Sequence, residues 1–342
     1  MRIAVDAREL QGKPTGVGRF LAAVLSTWTA MPEAAGHEVF LLQPEGADRG
    51  TVWEQLDLPK LVREVHADVL FCPAYTAPLQ ASVPVVLVIH DVSFAAHPEW
   101  FSWREGARRR TVTRLAARAA TRIVTVSEFS KREIVAYLGV DPDNVAVAYH
   151  GVTELRRCGT QRSPAVLTAG SIFNRRHVPE LIQGFARLAH RRPEARLDIV
   201  GDNRTFPRLD MSSLARATGV GERICVRSYV PDDELRDLYA RSAAFAFLSE
   251  YEGFGLTPLE AVAAGIPVLL LDTAVAREVF GHAAIYLKRP DPLLIEKGLE
   301  TLLFDSAERT RLLDEGERLL SRYSWTECAG RILRTLAEAA RV

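Results

Sequence analysis

Between Ser249 and Ala261 the chain reads Ser-Glu-Tyr-Glu-Gly-Phe-Gly-Leu-Thr-Pro-Leu-Glu-Ala, which sets two carboxylates, Glu252 and Glu260, with seven residues between them. The apolar run 243–248 just before it reads as a buried parallel strand. Gly253 and Gly255 permit a tight turn and a close approach of backbone to ligand. Thr257 suits a helix N-cap, Pro258 the first helical position and Glu260 the first turn. Such a helix start offers N–H groups and the positive end of a helix dipole, which suits a diphosphate. Thr257-x-x-Glu260 also fits a capping box, in which Glu260 would serve only the helix end. Glu252, beside two glycines at a strand's C-terminal end, stands where open α/β sheets bind ligands.

Four other segments could contribute. Gly16-Val17-Gly18-Arg19 follows a first strand that ends in Asp6-Ala7-Arg8; its glycines let backbone N–H groups approach an anion at a helix start. It lacks the third glycine of the dinucleotide fingerprint. His90-Asp91 ends the apolar run Pro84–Ile89 and so falls on the ligand-binding edge of a parallel sheet. Ser127 opens a helix after another strand, where its plain role is N-cap. Gly170-Ser171-Ile172-Phe173-Asn174-Arg175-Arg176 follows the first strand of the second half, and arginine grips phosphate bidentately. Gly201-Asp202 closes the next strand on the same edge.

These segments need a scaffold, and the rest of the chain supplies one. With 342 residues it is long enough for two α/β domains. Lys plus Arg and Asp plus Glu are both 43, so the net charge carries no nucleic-acid signal. Cys72, Cys158, Cys225 and Cys328 lie far apart, with no Cys-x-x-Cys, no His-Glu-x-x-His and no Asp-x-Asp site that would hold a metal near the phosphates; reduced thiols and no metal site are the expectation. No signal peptide and no membrane-spanning run are legible, so a cytoplasmic location is expected. Apolar strand candidates at 2–6, 38–43, 68–72, 84–90, 122–126 and 145–149, then 165–170, 195–200, 223–228, 243–248, 267–271 and 284–287, alternate with helical stretches. That alternation predicts parallel sheets with helical crossovers. The polar segment 151–163 reads as a linker, and helices at 291–303, 306–320 and 325–340 close the chain.

The string 249–261 resembles the signature of family 4 glycosyltransferases, retaining enzymes that take a sugar from a nucleotide diphosphate. Asp6-Ala7-Arg8 with Thr15-Gly16-Val17-Gly18-Arg19-Phe20 resembles the opening of members often described as mannosyltransferases. The resemblance implies two Rossmann-like domains facing across a cleft (the GT-B type). Residues 1–155 plus 325–342 would form the acceptor-side domain and 164–324 the nucleotide-sugar domain, with the last helix crossing back near Tyr323-Ser324-Trp325. It further implies that Glu260 holds the ribose hydroxyls, that Glu252 lies near sugar and phosphate, and that His90 contacts the donor sugar. Arg176, with Arg175, would stand where many members place a Lys and an Arg against the diphosphate. The loop at Val230-Pro231 would hold the base through backbone groups. Gly16, Gly18, Gly253, Phe254, Gly255, Leu256 and Thr257 would complete the donor site. The donor would be GDP-mannose or a UDP-sugar, the acceptor a glycan or lipid-linked glycan, and no metal would be required. Front-side displacement is favoured over a covalent intermediate on Glu252.

Trp100 to Arg122 suggests a basic helix with aromatics at its start: Arg104, Arg108, Arg110, Arg114, Arg118 and Arg122 largely share one face, and Val112, Leu115, Ala116 and Ala119 suit the core. Such a face could rest on an anionic membrane, at its inner side, or simply be solvated. Two other readings stay open. One is a nucleotide-sugar epimerase, or a phosphorylase, on the same architecture; the latter would need a cofactor lysine, and only Lys288 and Lys297 are available in the second half. The other is a non-catalytic nucleotide-sugar-binding subunit.

Overall fold

The structure, a computed structural model, describes residues 1–12, 16–46, 50–153 and 162–341. Lys13, Pro14, Thr15 and Cys158, and most of the expected linker, lie outside the described residues. The chain divides into two compact units, Met1–Gly151 with Tyr323–Val342, and Val152–Arg322.

In the first unit β1 (Arg2–Asp6), β2 (Glu38–Leu42), β3 (Val69–Cys72), β4 (Val85–Val88), β5 (Arg122–Thr125) and β6 (Val145–Val147) form one parallel sheet in the order β2-β1-β3-β4-β5-β6. Successive side chains of a strand point to opposite faces, so an all-apolar strand feeds two cores. Ile3, Val5, Val69 and Phe71 pack with Phe20, Leu21 and Trp28 on one face, whereas Ala4, Leu70 and Cys72 pack with Leu58, Val62 and Ala116 on the other. The C-terminal helix Trp325–Ala339 belongs to the first of these cores through Ala329, Ile332 and Leu336, and the Trp28 indole N–H donates to the Ala329 carbonyl at 3.0 Å.

In the second unit β7 (Ser163–Ala169), β8 (Arg196–Val200), β9 (Ile224–Arg227), β10 (Ser242–Phe247), β11 (Val268–Leu271) and β12 (Ala284–Leu287) form a second parallel sheet, ordered β12-β11-β10-β7-β8-β9. Each sheet runs outward in two directions from its first strand. The order therefore reverses between β1 and β3 in one unit and between β7 and β10 in the other, and the crevice at the strands' C-terminal ends is deepest at such a switch point.

The basic helix spans Trp103–Ala119, and its buried face is Gly106, Thr113, Ala116 and Ala117. Leu115 and Ala119 are exposed and Val112 half-buried, a correction to the apolar face expected from sequence. The stripe fails because alanines and a glycine, not the larger Leu115, let this helix approach the sheet closely. Arg122 is also corrected: it opens β5 and donates to the Asn144 side chain at 2.8 Å instead of extending the helical face. Trp103 is 80% exposed.

Candidate active site

The local chain at the second switch point differs from expectation in one respect. Gly255 adopts φ 96° and ψ 50°, a left-handed conformation that glycine takes at no steric cost, and it is itself the N-cap of the helix Leu256–Ala263. Thr257 and Pro258 are therefore the second and third helical residues, not cap and first residue, and no side chain caps this helix. The expected Thr257-x-x-Glu260 capping box is thus corrected: the glycine starts the helix before the threonine can. This leaves Glu260 for other contacts, and the Tyr239 hydroxyl donates to its carboxylate at 3.4 Å. Proline in the first turn costs no hydrogen bond, since those N–H groups have no intrahelical partner.

The loop after β7 meets the loop after β10 here. Arg176 Nε and Nη2 contact Glu252 Oε1 at 3.0 and 2.9 Å, and Arg176 Nη1 donates to the Ser171 carbonyl at 2.7 Å. The guanidinium lies over the Phe247 ring, 4.7 Å from its centre, which adds a cation–π contact from the strand below. Glu252 also accepts from the Ser249 hydroxyl at 2.8 Å. Gly170, at φ 117°, lies under this pair: a β-carbon built there would sit 2.8 Å from Arg176 Nη1 and 3.8 Å from the Thr257 hydroxyl oxygen. Gly201 passes so close that its own β-carbon would lie 1.9 Å from the Gly170 carbonyl oxygen. Arg176, Glu252, Gly170 and Thr257 are therefore one constellation, at the start of a helix and at the switch point. Beside Glu252 an apolar recess opens, lined by Phe247, Phe254, Leu270, Val275 and Phe280.

Two partners escaped the sequence reading. His177 Nε2 lies 2.8 Å from Glu250 and its Nδ1 3.6 Å from Glu180. Burial pulls the His177 pKa down, but hydrogen bonds to Glu180 and Glu250 outweigh it and leave the imidazole more basic than usual. The Glu250 N–H donates to the Arg175 carbonyl at 3.0 Å, so three links stitch the two loops together. The Arg175 guanidinium lies 4.3 Å from the centre of the Phe173 ring. Ser249 stood in the sequence motif without a role; its spacing of three from Glu252 was the available signal. No local pattern pairs His177 with Glu250. Val230 is buried at 5%, and Pro231 after it N-caps the helix Asp232–Arg241.

His90, Gly16 and Gly18 belong to the first unit. Gly16 is exposed and begins the helix Gly16–Ala30, in which Gly18 is buried. His90 lies just past β4 and is 9% exposed. Its Nε2 sits 3.0 Å from the Pro73 carbonyl, which fixes a tautomer that donates there and leaves Nδ1 as the acceptor. Burial lowers its pKa, keeping the ring neutral. Ser127 N-caps its helix, accepting from the Ser130 N–H at 3.0 Å, and the Ser130 hydroxyl donates to the His90 carbonyl. Among the described residues no group of three or more His, Cys, Asp or Glu is arranged to hold a metal, and no helix is long and apolar enough to cross a membrane.

Two family models match: Glycosyltransferase Family 4 over residues 16–154 and Glycosyl transferases group 1 over residues 159–318. The chain is 27% identical over 263 residues to O-antigen chain mannosyltransferase B of Escherichia coli, covering 71% of this chain and 67% of that one. It is 28% identical over 230 residues to the GDP-mannose:cellobiosyl-diphosphopolyprenol alpha-mannosyltransferase of Komagataeibacter xylinus, covering 64% of this chain and 57% of that one. Its fold matches the Anabaena protein HepE, solved in complex with UDP and glucose, with a TM-score of 0.74 at 19% identity over 98% of this chain and 99% of that one. Fold and family models together define a glycosyltransferase of the GT-B type. The chain belongs to the family 4 glycosyltransferases.

Proposed function

We propose that this chain moves a hexose, with mannose favoured, from a nucleotide-diphosphate sugar to a glycan or lipid-linked acceptor with retention of configuration. The observation that carries the reading is the Arg176–Glu252 pair at the β7/β10 switch point, beside the start of the helix Leu256–Ala263. Charge develops on the departing diphosphate, and fixed donors aimed at it lower the barrier. Arg176 and the N–H groups of that helix supply those donors, with Arg175 next to them. Glu252 holds the guanidinium in place through two nitrogens and lies within reach of the sugar–phosphate junction. Glu260, on the same helix, suits ribose hydroxyls, and the backbone at Val230-Pro231 suits the base. Gly16, Gly18 and His90 contribute from the first unit. The mannose preference rests on the names of the two curated relatives; HepE, solved with UDP, leaves a uridine donor equally open. No metal is needed on this reading, and transfer that survives EDTA would support it.

Thermal shift against GDP-mannose, UDP-glucose and UDP-GlcNAc tests the reading. A ligand at 100 times its Kd adds about 2.7 kcal/mol of stability. No shift with any of the three would sink it. The exposed Trp103, which opens the helix that carries Arg104, Arg108 and Arg110, also favours peripheral contact with an anionic surface.

A further inference from the structure

The switch point of the first sheet, between β1 and β3, holds a cluster that the donor chemistry does not use. Arg8, just beyond β1, has a side chain only 10% exposed. Its Nη2 lies 2.9 Å from Asp6 Oδ2 and also binds the Glu54 carboxylate and, at 3.4 Å, the Thr76 hydroxyl oxygen. The Thr76 hydroxyl in turn donates to Glu54. Asp6 and Glu54 are themselves buried, with side chains 1% and 3% exposed.

Glu54 sits in a five-residue π-helix, Trp53–Asp57, a rare irregularity that turns its side chain inward. Gln55 completes the structure: its amide N–H groups donate to Glu54 at 2.9 Å and to the Ala77 carbonyl at 3.1 Å, while its carbonyl oxygen accepts from the Leu79 N–H at 2.9 Å. The π-turn thus holds the segment 73–79 at Thr76, Ala77 and Leu79, and that turn is held by Arg8. The segment is also strained. Tyr75 has φ 59°, a left-handed conformation that a bulky residue keeps only when its surroundings over-determine it. Its N–H donates to the Val88 carbonyl and its hydroxyl to Asp91 Oδ2 at 2.8 Å.

Three buried ionic groups are a costly way to brace a half-buried loop whose exposed end is Leu79, since desolvation offsets most of their attraction. What they supply is a fixed geometry at the one place on this sheet where a ligand crevice is expected. We infer that Arg8 is a positioning residue for acceptor recognition: locked between Asp6 and Glu54, it sets the shape of the segment Pro73–Leu79, which contacts the acceptor. This rests on the transferase reading above, and on the first unit binding the acceptor.

The test uses the full chain, with a panel of mono- and oligosaccharide glycosides on phenyl and lipid aglycones as acceptors. Arg8→Lys and Glu54→Gln should raise KM for the best panel acceptor about tenfold, a lost-contact effect, while donor KM and acceptor-independent donor hydrolysis stay within about twofold of wild type. Gln55→Ala spares the buried charges and so keeps the fold. It should do the same and speed hydrogen exchange at the Leu79 amide. Acceptor KM unchanged in all three variants, or donor KM rising in step with acceptor KM, would overturn the inference while leaving the transferase reading intact. Wild-type protein that neither hydrolyses nor transfers from any nucleotide sugar would overturn both.

Discussion

Arg176 and Glu252, 76 residues apart in sequence, meet through two nitrogens on one carboxylate oxygen, at 3.0 and 2.9 Å, with side chains 15% and 20% exposed. The pair is partly open to solvent and partly desolvated, so each charge feels the other strongly and an incoming anion can still reach the guanidinium.

This pair gives the first prediction. Arg176→Ala should lower kcat/KM by more than about tenfold and weaken nucleoside-diphosphate binding, because a donor at the developing charge is lost. Glu252→Gln should lower kcat similarly yet leave diphosphate affinity equal or stronger, since the arginine's charge is then less shared. Calorimetric titration of GDP and UDP beside steady-state rates separates the two. Equal loss of affinity in both variants would contradict the assigned geometry.

Gly170 gives the second. At φ 117° an alanine is strained by about 1–3 kcal/mol, and its β-carbon would lie 2.8 Å from Arg176 Nη1. Gly170→Ala should therefore lower the melting temperature and raise donor KM together. An unchanged donor KM would mean that the arginine can move without consequence.

The third concerns pH. His150 is stacked between Phe20 and Trp325, with ring centres 5.1 and 5.9 Å away. Burial, helped by the neighbouring His90, lowers its pKa from 6.5 to about 3. Its stabilising contribution is present above 6.5 and is lost as pH falls toward 3. Asp6 has the opposite sign: burial raises its pKa from 3.8 to about 6, so its contribution is present below 3.8 and is lost as pH rises through about 6. Between about pH 4 and 6 the two oppose, each worth at most about 1.4 kcal/mol per pH unit. Denaturant melts at pH 4, 5 and 6 should show His150→Phe gaining on wild type as pH falls. Asp6→Asn should gain as pH rises. Parallel curves for variant and wild type would disprove the assignment.

The fourth concerns the exposed Trp103. Sedimentation with vesicles rich in anionic lipid should exceed that with neutral vesicles, and Trp103→Ser should reduce it by severalfold at low salt. Equal sedimentation with both lipids would end the idea.

The central strands were legible because they are apolar runs buried on both sides, and a run such as Val-Leu-Leu-Leu at 268–271 has few other places to go. The motif 249–261 marked the candidate site for the same reason: it follows such a strand. What stayed hidden was what the chain's long-range pairings decide. The Gly255 cap was missed because Thr257 is a better cap by type, and only backbone conformation reveals the glycine's role. The Arg8–Glu54 contact spans 46 residues and depends on a π-turn that no periodicity announces. The basic helix misled because the exposed Leu115 and the buried Thr113 exchange the places that hydrophobicity alone assigns them.

Gly151 lies against Trp325 so tightly that a β-carbon there would fall 2.2 Å from the tryptophan's backbone nitrogen. The polypeptide thus departs from the first unit and rejoins it at a single doorway, and everything from 152 to 322 is a detour between two touching posts. A few residues of tether joining Gly151 to Tyr323 would close that doorway without stretching the sheet behind it. The first unit is therefore a self-contained chassis into which other inserted units could be spliced.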